Sequence, residues 1–325
     1  MTVIRDTGSH RLRADLLLLL AAAIWGLAFV AQRVGMRHLE PLTFNGIRFA
    51  LGAAVLVPWL LRGRAGSRPL DELRAGLPGG LAAGAVLFAG STLQQWGVVT
   101  TTAGKAGFIT GLYVVLVPLL GLVVGQRPGR ATWVGATVAT VGLYLLSVRG
   151  AWHMAHGDLL VLAGAFFWAA HVLVVGRLAK RRHPAAIAFL QFATCSALSL
   201  AGAFVLEDPR PAAVVAAALP ILYAGLLSVG VAYTLQVVAQ RHAPPAHAAI
   251  ILSLETVFAV LGGWILLGEQ LSSRGLAGCA LMLIGMLVSQ TGELRRPGRR
   301  RPDPGAPVRA VGGPAGAAPH RDPPR

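Results

Sequence analysis

Glu255 stands about ten residues into an apolar run, and no Lys or Arg lies within one helical turn of it. A charged side chain at the middle of a bilayer costs roughly 2.5–3.5 kcal/mol on insertion scales, so its place there asks for a reason. A carboxylate so placed can bind a cationic group or take up a proton. It can equally cap a broken helix or pair with a basic residue elsewhere in the chain. Arg48 lies about seven residues into the second apolar run. It is suited to an anionic group such as a carboxylate, or to snorkelling outward, or to pairing with a buried acid. Lys105 opens the fourth run within Thr101-Thr102-Ala103-Gly104-Lys105. Its long stem can reach headgroups, and a gate or an anion contact is the alternative. His247 could titrate near neutral pH, but beside Pro244-Pro245 it reads as structural.

Uncharged groups complete the set. Gln94 and Gln236 occupy equivalent places on the third and eighth runs. They are suited to hydrogen-bonding a solute across a pseudo-two-fold axis, or to holding helices together for roughly 0.6–2 kcal/mol. Gln95, Asn45, Gln191, His171, Tyr113 and Tyr233 are weaker candidates of the same kind. Trp25 and Trp168 fall in mid-run, away from the interfacial belt where tryptophan is usual, and can wall a cavity or simply pack. Asp15 and Asp158 look like helix N-caps. Cys195 and Cys279 sit in apolar stretches as small packing residues, not as a disulfide or metal pair.

The elements that must position these groups are set by composition. Of 325 residues, 55% are hydrophobic and 13% charged, with mean hydropathy +0.63. A soluble chain carries about a quarter charged residues. A helix needs roughly 20 apolar residues to cross a bilayer. Such runs occupy 16–34, 42–61, 77–99, 103–124, 131–148, 158–178, 185–206, 216–239, 246–267 and 274–290. The expected fold is therefore all-α, with ten transmembrane helices. The first run is too long for a cleaved signal peptide, and nine more follow. If the N-terminus is inside, nineteen Lys and Arg fall on inner segments and six on outer ones, which places both termini in the cytoplasm of a cell inner membrane. The net charge of +16 follows this loop pattern and does not point to nucleic acid. From Arg295 the chain is rich in Pro, Gly, Ala and Arg and reads as a disordered cytoplasmic tail. The expected organisation is an N-terminal segment 1–14, a first repeat 15–150, a second repeat 156–291 and a tail 292–325.

The two halves match at a spacing near 143 residues. Asp15-Leu16-Leu17 recurs as Asp158-Leu159-Leu160, Trp25 as Trp168, Pro41 as Pro184 and Phe49 as Phe192. Thr92-Leu93-Gln94 returns as Thr234-Leu235-Gln236, and Gly125, Gly135 and Gly142 return as Gly268, Gly278 and Gly285. Five helices per half is an odd number, so the second half must enter the membrane the opposite way. Two inverted five-helix repeats are an architecture of secondary transporters that rock about a site near the bilayer midplane. Gly135, Gly142, Gly278 and Gly285 are spaced for close helix packing within the chain, with a homodimer seam as the other use.

Three stretches resemble the EamA branch of the drug/metabolite transporter superfamily. They are AAAIWGLAFVAQRVGMRHLEPLTFNGIRFALGA, TTAGKAGFITGLYVVLVPLLGLVVGQRP and SLETVFAVLGGWILLGEQLSSRGLAGCALMLIGMLVSQ. The family typically shows Ser-Leu-Glu-Pro and then Gly-Glu at the helix end. Here Ser253-Leu254-Glu255-Thr256 is followed by Gly268-Glu269, and Thr256 stands where the proline would cause a kink. The resemblance covers nearly all of 15–290. It implies a ten-helix fold of two EamA repeats and ATP-independent movement of a small metabolite, with export favoured over uptake. Family substrates include amino acids, sugars, nucleobases and drugs. No cofactor or metal is implied, and the expected partners are a small-molecule substrate and membrane lipids.

Other classes fit less well. A membrane-embedded lipid-processing enzyme needs clustered acids, histidines or a nucleophile–base pair, and no His-Glu-x-x-His spacing occurs. No P-loop is present for an ATP-driven pump. A channel pore would gather subunits or a charged ring.

Overall fold

The computed structural model describes residues 6–61, 68–100, 103–147, 155–267 and 272–294, and every regular element among them is helical. The tail from Arg295 and the Gly268-Glu269 pair lie outside the described residues. The first half runs α1 (Asp6–Gly35), α2 (Pro41–Leu61), α3 (Pro69–Thr100), α4 (Ala103–Gly111), α5 (Tyr113–Val123) and α6 (Arg130–Ser147). The second runs α7 (His156–Leu178), α8 (Pro184–Leu206), α9 (Pro211–Ala216), α10 (Ala218–Leu222), a π-helical stretch (Tyr223–Tyr233), α11 (Thr234–Ala239), α12 (Pro245–Leu252), α13 (Glu255–Leu267) and α14 (Ser273–Leu294). Pro41, Pro69, Pro184, Pro211 and Pro245 each open a helix. There the missing N–H has no partner to lose and the fixed φ suits the first turn.

Seven helical stretches are long and apolar enough to cross a membrane: His10–Gly35, Pro41–Leu61, Pro69–Thr100, His156–Leu178, Pro184–Leu206, Ala218–Ala239 and Pro245–Gly262. Ile109–Val123 and Ser273–Ser289 are shorter apolar helices. Two apolar runs are broken rather than continuous. α4 gives way to α5 at Leu112, and α12 to α13 at Ser253–Leu254. Threonine in place of proline at 256 does not keep the second run whole. The break is carried by short-range turns, with Leu254 N–H donating to the Ile251 carbonyl (3.1 Å) and Thr256 N–H to that of Ser253 (3.2 Å).

Helices that correspond between the halves pack against each other antiparallel. On α2 and α8, a Cβ added at Gly46 would meet Leu200, while one at Gly202 would meet Leu42. Phe49 and Phe192, equivalent residues, face each other at 6.3 Å between ring centres. α6 and α14 do the same through glycine. A Cβ at Gly135 would lie 2.6 Å from the Gly285 carbonyl oxygen, and one at Gly142 2.6 Å from that of Gly278. Exchanging each glycine for its repeat equivalent turns the first contact into the second. These glycines thus serve packing within the chain, because only a missing side chain lets the two backbones touch.

The remaining contacts follow the same exchange. α3 lies along α7 and α8, while the π-helical stretch, its counterpart, lies along α1 and α2. Two of these polar ties cross between halves. The Glu207 carboxylate at the end of α8 accepts from the backbone N–H groups of Leu42 and Thr43, both at 2.7 Å, and so caps α2. Ser196 on α8 donates to the Gly46 carbonyl on α2 at 2.8 Å.

Candidate functional site

A cavity lies where the halves meet. Trp25, Arg48, Gln94, Trp168, Tyr233, Gln236 and Glu255 all line it, with Tyr113 and His171 beside them. The backbone of Lys105 lies in α4, and its side chain is outside the described residues. The cavity volume is about 50 Å³, room for a few waters and well below the roughly 300 Å³ at which small-molecule pockets begin. Trp25 and Tyr233 crowd the centre with ring centres 4.6 Å apart, and Trp168 stacks on Tyr233 at 6.2 Å. Mid-helix tryptophans here both pack and wall the cavity.

Glu255 is the first residue of α13, 5% exposed. The break at Ser253–Leu254 puts its carboxylate at a helix N-terminus, where unpaired backbone N–H groups favour negative charge. Among the described residues it has no ion pair. The Tyr113 hydroxyl, at the start of α5, stands beside it but falls short of hydrogen-bond geometry. Both residues start half-helices at the crossing of the two broken runs, where Thr256 Oγ1 donates to the Gly107 carbonyl at 3.3 Å.

Arg48 departs from both bland expectations for it. Among the described residues it meets no buried acid, and it does not snorkel outward. It is 3% exposed, and its guanidinium carbon sits over the faces of Phe49 (4.9 Å) and Phe44 (5.5 Å). The ring faces supply part of the electrostatic compensation that water would give, and its Nε has no hydrogen-bond partner. The cavity thus carries one buried base and one buried acid that do not neutralise each other.

The amides are asymmetric. Trp168 Nε1 donates to Gln94 Oε1 at 2.6 Å, and Gln94 Nε2 reaches Gln32 Oε1 at 3.5 Å. In the other half, Trp25 Nε1 donates to the Ser228 backbone carbonyl at 3.1 Å, and Gln236 Oε1 has no partner. Ser228 belongs to the π-helical stretch, whose wider turn changes which backbone groups are paired. Gln94 and Gln236 share the cavity without bonding each other.

Of the weaker candidates, Asn45, Gln95 and Gln191 are fully buried outside the lining, although Gln191 Oε1 holds His171 Nε2 at 2.9 Å. Gln32, one of the lining residues, was not singled out from sequence. It sits seven residues after Trp25, on the same helical face, and that spacing is the signal that could have found it.

Asp15 is not an N-cap. α1 begins at Asp6, so Asp15 is interior, and its carboxylate meets His247 Nε2 at 2.9 Å. His247 Nδ1 meets Ser289 Oγ at 3.0 Å. His247 is 3% exposed, and this clasp ties α1, α12 and α14. Asp158 is the third residue of α7 rather than its cap, and reaches back to the Ala155 N–H at 2.8 Å. Around the clasp the bundle is closed by small and branched residues. Ala14, Leu18 and Ala21 pack on Leu173, Ala246, Ala249 and Leu252. The cavity takes its lining from the later part of α1 (Trp25, Phe29 and Gln32), so the bundle is shut at the Asp15 end.

A bundle of apolar helices in two related halves around a buried polar cavity defines a multi-pass membrane protein with a two-repeat transporter architecture. The EamA-like transporter family model matches twice, over residues 12–148 and 155–291, and the chain belongs to that family. It is similar to an uncharacterised transporter of Archaeoglobus fulgidus, with 32% identity over 282 residues, 86% of this chain and 87% of that one. A Salmonella typhimurium protein named "Probable amino-acid metabolite efflux pump" is 26% identical over 298 residues, 87% of this chain and 97% of its own. The uncharacterised inner membrane transporter YedA of Escherichia coli K12 is 28% identical over 261 residues, 77% of this chain and 81% of its own. One solved crystal structure shares the fold, with a TM-score of 0.72 at 21% identity, covering 88% of this chain and all of that one.

Proposed function

We propose that the chain is a secondary transporter of ten membrane spans in two inverted repeats, which exports a small amino-acid-like metabolite by alternating access. The observation that carries the reading is the cavity between the halves, lined by Glu255 and Arg48 with no ion pair between them. A zwitterion presents an ammonium to the first and a carboxylate to the second, and each buried charge then gains the partner it lacks. Gln236 Oε1, buried and unpartnered, is an acceptor for one more donor of the solute. The aromatic side chains between them suit the apolar part of such a solute.

Inversion is supported by the antiparallel packing of α2 on α8 and of α6 on α14. Ten spans follow if α4–α5, α12–α13, α6 and α14 cross alongside the longer stretches. The Lys and Arg distribution supports both termini inside. The end closed around Asp15 is then the cytoplasmic end. The name carried by the Salmonella relative agrees with an amino-acid metabolite and with efflux.

The test is counterflow in proteoliposomes. Purified protein is loaded with unlabelled neutral amino acids, one at a time, and entry of the labelled compound is followed with and without a pH gradient. Accumulation of label above equilibrium, lost in Glu255→Gln, is the expected result. Exchange that is absent for every amino acid tried, or undiminished in Glu255→Gln, overturns the reading.

A further inference from the structure

A second cavity, of about 830 Å³, opens at the closed end of the bundle, between the α5–α6 turn, the end of α7 and the start of α12. Arg127, Arg177, Lys180 and Arg181 line it, and none of the described residues lining it is acidic. From this we infer a binding site for the phosphate-bearing headgroup of an anionic phospholipid. The site goes beyond the transport reading and does not depend on it.

Size and surroundings select the lipid over a free anion. The volume is that of a pocket for a drug-sized ligand, many times what one phosphate fills. Arg177 donates from one Nη to the Val124 carbonyl at 3.0 Å, which fixes its guanidinium at the rim. Next to that carbonyl, Leu122, Val123 and Val124 expose 48%, 84% and 39% of their surface. An acyl chain leaving the rim would cover them. Lys180 and Arg181 are exposed and make no side-chain hydrogen bond or ion pair among the described residues, so their charge is available to a ligand. Basic pockets between membrane helices are suited to such headgroups. His247, at the floor, connects the site to the clasp on Asp15 and Ser289.

The experiment uses the full-length purified protein in neutral detergent, with thermal unfolding followed as phosphatidylglycerol, phosphatidylcholine or inorganic phosphate is added at matched ionic strength. Phosphatidylglycerol should stabilise at about a six-hundredfold lower concentration than phosphatidylcholine, on the basis of roughly one kcal/mol, about fivefold, for each of the four basic side chains. Lys180→Gln/Arg181→Gln should reduce that preference about 25-fold while leaving the unliganded protein as stable as before, because neither side chain has a partner to lose among the described residues. The control Arg13→Gln/Arg68→Gln/Arg74→Gln removes three charges outside the lining and should keep the preference. Equal loss in the control would show diffuse surface charge and overturn the site. Stabilisation by inorganic phosphate matching that by phosphatidylglycerol would overturn the lipid assignment. No preference in the parent protein would overturn both.

Discussion

The two halves share helices, contacts and glycines, yet at the cavity they differ. At the common spacing Glu255 corresponds to Leu112, and the first half has no second acid there. Trp168 is held by a side chain, Gln94, whereas Trp25 is held by a backbone carbonyl of the π-helical stretch. α3 is a continuous α-helix, and its counterpart is split among α10, the π-helical stretch and α11. By contrast the α6–α14 seam is symmetric down to the mutual approach of Gly135 and Gly285. The symmetric parts fix the backbones, and the departures from symmetry fix which polar groups face the cavity.

The largest expected effect tests the sharpest departure. Glu255→Gln should bring transport to background with normal expression and membrane insertion. Full activity, measured in the same proteoliposomes, would leave the cavity acid with no part in transport. Next comes the symmetric seam, where Gly142→Leu and Gly285→Leu should each cost about 3 kcal/mol through overpacking against backbone. The two should lower the melting temperature alike. A marked difference between them would break the equivalence of the halves. Arg48→Gln keeps a polar group and removes the charge. It should raise KM for a zwitterion about tenfold, from the lost charge-assisted hydrogen bond, and leave a solute without a carboxylate unaffected. An equal rise for both solutes would assign Arg48 to packing on its phenylalanines.

The smallest effect sharpens the comparison of tryptophans. Trp168→Phe frees the Gln94 amide, and one hydrogen bond of about 1 kcal/mol corresponds to about a fivefold change in solute affinity. Trp25→Phe releases only a backbone carbonyl and should change it less. In a Gln94→Leu background the Trp168 effect should shrink toward that of Trp25. If it persists undiminished, the indole acts through its shape alone.

Sequence reading located the helices well because a bilayer demands a run of a certain length, and such runs are visible without any partner. Glu255 and the mid-run tryptophans were visible for the same reason, as residues in places where their type is costly or unusual. What stayed hidden depends on partners far along the chain. Asp15, directly before the apolar run 16–34, looks like a cap, yet the helix starts nine residues earlier and the carboxylate faces His247. The fate of Arg48 depended on the rings of Phe44 and Phe49, one on each side of it along α2. The break before Glu255 carries no proline to announce it, and the π-helical stretch has no composition that separates it from its α-helical counterpart.

The clasp of Asp15, His247 and Ser289 makes a post of α12, since two polar contacts, one of them fully buried, hold that half-helix to α1 and α14. α13 begins beyond the turn at Ser253–Leu254, which would make it an arm jointed to that post, with Glu255 at the pivot. A tilt of about ten degrees at the joint, over a helix about 18 Å from first to last residue at 1.5 Å per residue, would carry Leu267 about 3 Å. The carboxylate would barely translate. In the language of levers, the solute would push on the short arm and the far end of the helix would sweep the long one.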